Sequence, residues 1–129
     1  MRVRVRRIVS GSAEGEALVT KQAINFLAMI DLENGVVKDK KHELFGKSIA
    51  NKVLIFPNAT GSSVGAYSIY ALKINGVAPK AMLCNKADIT TASGCAISNI
   101  PLADRPDTDI STFRSRSKVK ICDNLIEVC

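Results

Sequence analysis

A continuous apolar run, Val53-Leu54-Ile55-Phe56, stops at Pro57 and leads into Asn58-Ala59-Thr60-Gly61-Ser62-Ser63-Val64-Gly65. This juxtaposition constrains the fold more than any other feature of the chain. Four apolar residues without polar alternation describe a strand buried on both faces. Beyond the Gly/Ser segment, Val64, Tyr67, Ala71 and Ile74 recur at intervals of three and four, which predicts an amphipathic helix with these residues as its apolar stripe. Asn75-Gly76 supplies a helix stop. Ala81-Met82-Leu83-Cys84 reads as the next buried strand and Cys95-Ala96-Ile97-Ser98 as another.

The flanking segments are richer in β signals. Residues 2–9 alternate as a strand, with Arg2, Arg4 and Arg6 on one face and Val3 and Val5 on the other. Gly11, Ser12 and Gly15 interrupt it before a short strand at Ala17-Leu18-Val19. The apolar stretch from Ala23 to Ile30 has too little pattern to assign. Asp31 to Gly35 forms a turn, with Asp31 as its cap and Asn34-Gly35 able to take positive φ. Val36-Val37 restarts a strand. Lys38 to Lys41 is a charged loop that leaves His42 exposed. Val119 to Cys122 and Leu125 to Val128 frame a terminal hairpin around Asp123-Asn124. The expectation is one mixed α/β domain over residues 1–129, mostly β in its first half. A chain of 129 residues buries roughly two-thirds of its unfolded surface, enough for a core without staples.

Charge and cysteine usage narrow the function classes. The net charge is +6, and it is concentrated in Arg2, Arg4, Arg6 and Arg7 and in Arg114, Arg116, Lys118 and Lys120. Each group alternates at period two, as the solvent side of a strand does; a surface for an acidic protein is the sharper alternative. Nucleic acid is disfavoured, because six aromatics and no Trp leave no stacking platform among the basic residues. Cys84, Cys95, Cys122 and Cys129 include no CxxC pair, and His42 is the only histidine. Zinc ribbons and a cluster held wholly by this chain are therefore not expected, and buried thiols are. No apolar run approaches the ~20 residues of a membrane span, and no apolar core follows the basic N-terminus as in a signal peptide. The expectation is a cytoplasmic protein.

The chemistry resides where the buried strand meets the helix. The backbone N–H groups of a first helical turn have no intrahelical partner, and the helix dipole adds partial positive charge. Ser62 or Ser63 is the natural N-cap. Three roles are open from the residues alone: a plain cap, an anion or phosphate site, or a serine whose alkoxide the helix end stabilises. The loop is not a Walker loop, since no Lys-Ser/Thr follows the glycines. It is not a nucleophile elbow either, since G-x-S-x-G is absent.

Several blocks occur in a fixed order: Gly15-Glu16-Ala17-Leu18-Val19; Phe26, Asp31 and Gly35; His42 and Leu44-Phe45-Gly46; Val53-Leu54, Pro57, Gly61-Ser62-Ser63 and Gly65; Gly76-Val77-Ala78-Pro79 and Ala81. Over roughly residues 8–101 they resemble the small subunits of the aconitase-X family, in particular its archaeal branch acting on phosphomevalonate. The resemblance implies the swivelling β/β/α domain of aconitases. It implies a large-subunit partner that carries an iron–sulfur cluster, of the [4Fe-4S] kind, on its own cysteines. It implies loss of water from (R)-5-phosphomevalonate to give trans-anhydromevalonate 5-phosphate, in the archaeal mevalonate route to isoprenoids. In the family the first serine of Gly-Ser-Ser accepts the proton, which is Ser62 here; iron on the partner would hold the departing hydroxyl. Gly61 and the backbone N–H groups of Ser63 and Val64 would line the substrate. Two positions depart from related patterns. Val64 stands where aconitases proper carry a carboxylate-binding arginine, and Leu27-Ala28-Met29-Ile30 precedes Asp31 where many members have a glycine pair and an aromatic. A related dehydratase acting on hydroxyproline or another small hydroxy acid shares the loop, and a non-catalytic anion- or partner-binding domain is the alternative outside enzymes.

Overall fold

The computed structural model describes residues 1–61 and 64–128. Ser62, Ser63 and Cys129 lie outside the described residues. Among the described residues, eight strands form one mixed sheet in the order β1-β8-β7-β3-β4-β5-β6-β2. The strands are β1 (Arg2–Arg4), β2 (Arg6–Val9), β3 (Ser12–Val19), β4 (Val53–Ile55), β5 (Ala81–Leu83), β6 (Leu102–Asp104), β7 (Lys118–Cys122) and β8 (Leu125–Val128). β3 is the hinge of the sheet. Its first half pairs antiparallel with β7, Ser12 opposite Cys122, and its last three residues pair parallel with β4, Ala17 opposite Val53. β4, β5 and β6 continue in parallel.

The N-terminal alternation is not one strand. β1 pairs with β8 at one end of the sheet and β2 with β6 at the other. The chain passes between them at the buried Val5, so the sheet curls until its two ends are consecutive in sequence. Gly15 does not break β3, where it pairs with Val119 of the antiparallel neighbour β7. The terminal hairpin forms as expected, with Asp123 at φ 52° in its turn. Val36-Val37 makes only isolated bridges, Val37 to Ile30 and Val36 to Ser48. Asp31 caps the preceding turn by accepting from the Glu33 N–H at 2.9 Å. Gly35 there has φ +74°, and an added Cβ would lie 2.8 Å from the Val77 carbonyl oxygen.

Helices α1 (Phe26–Met29), α2 (Gly65–Ile74) and α3 (Ile89–Ser98) cover one face of the parallel strands. The other face is enclosed by the curl of the sheet around Val3, Val53, Ile55, Leu83, Val119 and Ile126. Two expectations are corrected here. Cys95-Ala96-Ile97-Ser98 is the last turn of α3, not a strand. α2 buries Ser68, Ile69 and Leu72, whereas Tyr67 and Ile74 of the expected stripe are 77% and 65% exposed. The helix lies close against α3: a Cβ on Gly94 would sit 3.1 Å from the Ala66 Cα and 3.0 Å from Ile69 Cδ1.

Arg6, itself half exposed, differs from the other N-terminal arginines in holding a buried carboxylate. Its Nε and guanidinium terminus hold both oxygens of Asp104 at 2.8 Å, and that carboxylate is fully buried. Asp104 also accepts the Ala87 N–H at 2.8 Å. Burial pushes the Asp104 carboxyl up, but Arg6 and the Ala87 N–H outweigh it and hold it below the ordinary value. A depressed native pKa stabilises the fold above the ordinary aspartate range near about 3.9 and ceases to do so as pH falls through the native value. Asp104→Asn is therefore expected to lower the melting temperature at neutral pH and to flatten its fall below about pH 4; thermal melts from pH 7 to 2 read both.

Candidate active site

β4 and β5 end at the same edge of the sheet, and α2 and α3 both begin there. A parallel sheet binds ligands at the carboxyl ends of its strands, where helix N-termini converge. The two loops are tied together, since the Asn85 N–H donates to the Pro57 carbonyl at 2.9 Å. Asp88 caps α3 by accepting from the Thr91 N–H at 3.3 Å. The first residue of α2, Gly65, has Thr90 against it: an added Cβ would lie 3.2 Å from Thr90 Cγ2.

The segment before α1 clamps the loop that leads to α2. Ile24 bridges to Ala59 in parallel, its N–H donating to the Asn58 carbonyl at 3.1 Å and its own carbonyl accepting from the Thr60 N–H at 2.9 Å. Phe26 meets Phe56 edge-on, ring centroids 5.9 Å apart. Asn25 caps α1, accepting from the Ala28 N–H at 3.0 Å, and its side chain fills the space beside Gly61. A Cβ on Gly61 would lie 2.9 Å from Asn25 Nδ2, and Gly61 has φ +109°. Both facts require glycine there.

Among the expected site residues, Gly61 is thus placed at the clamped mouth of the loop. Val64 takes the N-cap position of α2 in helical conformation, with no side-chain cap bond, and its carbonyl accepts from the Ser68 N–H at 3.1 Å. The serine cap anticipated for α2 falls on Ser62 or Ser63, which lie outside the described residues. Asn25 had no place in the sequence reading; its signal was an Asn directly before Phe26-Leu27-Ala28, an N-cap residue ahead of an apolar turn.

A cleft of about 370 Å³ opens at the carboxyl end of β3, lined by Thr20, Lys21, Glu43, Lys47, Ser111 and Ser115 among others. The Thr20 hydroxyl donates to Glu43 Oε1, which also accepts the Lys21 N–H at 2.7 Å. These bonds, the Thr20 hydroxyl foremost, hold the Glu43 carboxyl below its ordinary value. His42, expected in solvent, is buried. Its Nδ1 accepts the Leu44 N–H at 3.1 Å, so Nε2 carries the proton and donates to the Ala23 carbonyl at 3.2 Å. The ring joins the 42–46 loop to the segment that clamps Gly61.

Burial pushes the Cys84 and Cys95 thiols up to about 12. The Cys95 thiol lies 3.7 Å from the Met82 sulfur. Cys122, contrary to the expectation of burial, is exposed, and it sits on β7 in the antiparallel arm of the sheet. Among the described residues no group of three or more His, Cys, Asp or Glu side chains is arranged to hold a metal ion. Among the same residues no helix is long and apolar enough to cross a membrane.

A curled mixed sheet with helices over its parallel half, and a glycine-led loop at the start of α2, is the architecture of an aconitase-type swivelling domain. The chain belongs to the aconitase X swivel domain family, whose model matches residues 2–128. It is 43% identical over 121 residues to the phosphomevalonate dehydratase small subunit of Thermococcus kodakarensis, covering 94% of this chain and 90% of that one. Against the phosphomevalonate dehydratase small subunit of Methanothrix thermoacetophila it is 51% identical over 121 residues, 94% and 88% of the two chains. The crystal structure of Thermococcus kodakaraensis aconitase X in its holo form superposes with a TM-score of 0.95 at 40% identity, covering 100% of this chain and 98% of that one.

Proposed function

We propose that this chain is the small subunit of a cytoplasmic phosphomevalonate dehydratase, a hydro-lyase that converts (R)-5-phosphomevalonate to trans-anhydromevalonate 5-phosphate in isoprenoid biosynthesis. Residues 1–129 act as one swivelling domain that completes the active site of a large subunit. The observation that carries the reading is the clamped Gly61 loop at the carboxyl end of β4, opening directly into α2, in a chain with near full-length likeness to small subunits of that name.

In this reading Ser62 accepts the proton from the carbon next to the substrate carboxylate. The helix end supports the alkoxide, and the N–H groups of Ser63 and Val64 contact substrate oxygen. Asn25 and the Phe26–Phe56 contact hold the loop at its working height. Val64 offers no cation in place of an arginine, which disfavours a tricarboxylate substrate. In this reading the iron–sulfur cluster belongs to the large subunit; Cys84 and Cys95 are buried in the core, and Cys122 stands on β7 in the antiparallel arm of the sheet. Single replacement of Cys84, Cys95 or Cys122 by Ala is expected to leave the iron content of the purified complex unchanged, with lower melting temperatures for Cys84 and Cys95, whose removal leaves small cavities. Iron analysis and thermal melts of the three variants check this.

The substrate is tested by supplying the co-expressed pair with phosphomevalonate and, separately, with hydroxyproline. Dehydration of phosphomevalonate alone is expected. Dehydration of hydroxyproline alone would move the chain to the related dehydratases.

A further inference from the structure

α2 and α3 contain ten residues each, GAYSIYALKI and ITTASGCAIS, and between them a single charge, Lys73. Their solvent side nevertheless carries large apolar groups. Tyr67 is 77% exposed, Ile74 65%, Ile89 85% and Ile97 64%, with Val64 and Tyr70 also exposed. A surface helix normally turns charged and polar residues to water. Here charge is plentiful elsewhere in the chain and withdrawn from this layer. Depletion of charge with enrichment of tyrosine marks the core of protein interfaces.

The residues form one patch. The two helices run side by side in the same direction, Gly65 against Thr90 and both Ala66 and Ile69 against Gly94. That register brings Ile97 to the level of Leu72, between Tyr70 and Ile74. At the other end, Val64 joins the patch directly to the Gly61 loop. We infer that this α2–α3 face is the docking surface of the large subunit, which meets it with a mainly apolar, uncharged surface and a carboxylate for Lys73. The inference rests on the proposed function, since a protein that completes the site over the Gly61 loop must lie beside Val64 and Tyr67. A second copy of this chain would not supply the other half of the proposed site, and self-association is an outcome of the test below.

The test titrates the full chain into the purified large subunit by calorimetry. In the variant Ile74→Glu/Ile97→Glu both substituted side chains are mostly exposed, so the melting temperature is expected to stay within a few degrees. Affinity is expected to fall by at least ~10²-fold, as when a charge is buried unpaired at an interface. Lys120→Glu, on β7, is expected to bind as the wild type does. Tyr67→Ser/Ile97→Ser gives the same reading with smaller perturbation if the glutamates impair folding. Unchanged affinity in a folded variant overturns the docking surface, while leaving the catalytic reading to the activity of Ser62→Ala. Failure of the wild-type chain to bind the large subunit overturns both. Self-association of the wild-type chain that the variant abolishes, with large-subunit binding intact, assigns the face to a second copy and also overturns the inference.

Discussion

The isolated chain is expected to dehydrate no phosphomevalonate, and addition of the large subunit is expected to switch the activity on. The argument is chemical. Eliminating a tertiary hydroxyl needs a base on one side of the substrate and assistance to the leaving group on the other. In the proposed reading Ser62 serves the first task. For the second, the described residues include no group of three or more His, Cys, Asp or Glu side chains arranged to hold a metal ion, and the buried carboxylate of Asp104 is fully engaged by Arg6 and the Ala87 N–H. Glu43, in the neighbouring cleft, is committed to Thr20 and the Lys21 N–H. Steady-state assay of each chain alone and of the mixture checks the expectation, and turnover by the 129-residue chain alone would contradict it.

Within the complex, Ser62→Ala is expected to lower turnover by at least ~10²-fold, the lower range for loss of a general base. The fold is expected to survive. α2 carries no side-chain cap bond at Val64, and the loop is held from outside by Ile24 and Asn25, so even loss of a capping serine would cost only about 1 kcal/mol. A domain with about 5–15 kcal/mol of stability tolerates that. Ser63→Ala is expected to do less harm, because its backbone N–H remains. The pair of variants separates two roles. A structural serine gives variants that melt slightly lower and turn over normally; a proton-accepting serine gives one variant that keeps its melting temperature and loses its activity. Turnover and thermal melts of both complexes decide between them.

The parts of the fold legible in the sequence are those whose signals are strictly local. Val53 to Phe56 could only be an interior strand, Asn75-Gly76 does end α2 with Gly76 at φ +72°, and the hairpin at Asp123-Asn124 follows from its alternating flanks. The misreadings share a cause. α2 is apolar nearly all round, so a stripe of Val64, Tyr67, Ala71 and Ile74 is as visible as the buried one, which includes Ser68. Only the position of α3 decides which side is inside. α3 itself mixes β-branched and small residues without charge, a composition that fits a buried strand over four residues; its helical marks, Asp88 at the N-cap and left-handed Asn99 at φ 55°, lie at the ends. The role of Arg6 depends on Asp104, 98 residues away. At the site, the strand end at Pro57 and the turn at Gly61, with φ +109°, are legible because both are local features. Asn25 is not, because its importance comes from a parallel bridge between Ile24 and Ala59 that no sequence period announces.

The account rests on a proton leaving substrate to Ser62, and hydrogen exchange reads that step directly. The reconstituted complex is given the anhydro product in deuterated water, and deuterium at the carbon next to the carboxylate of the phosphomevalonate formed is followed by mass spectrometry. The wild-type complex is expected to incorporate deuterium there, and Ser62→Ala, folded and bound to its partner, is expected to incorporate it at least ~10²-fold more slowly. Incorporation by Ser62→Ala at the wild-type rate would contradict the assignment of the proton to this serine.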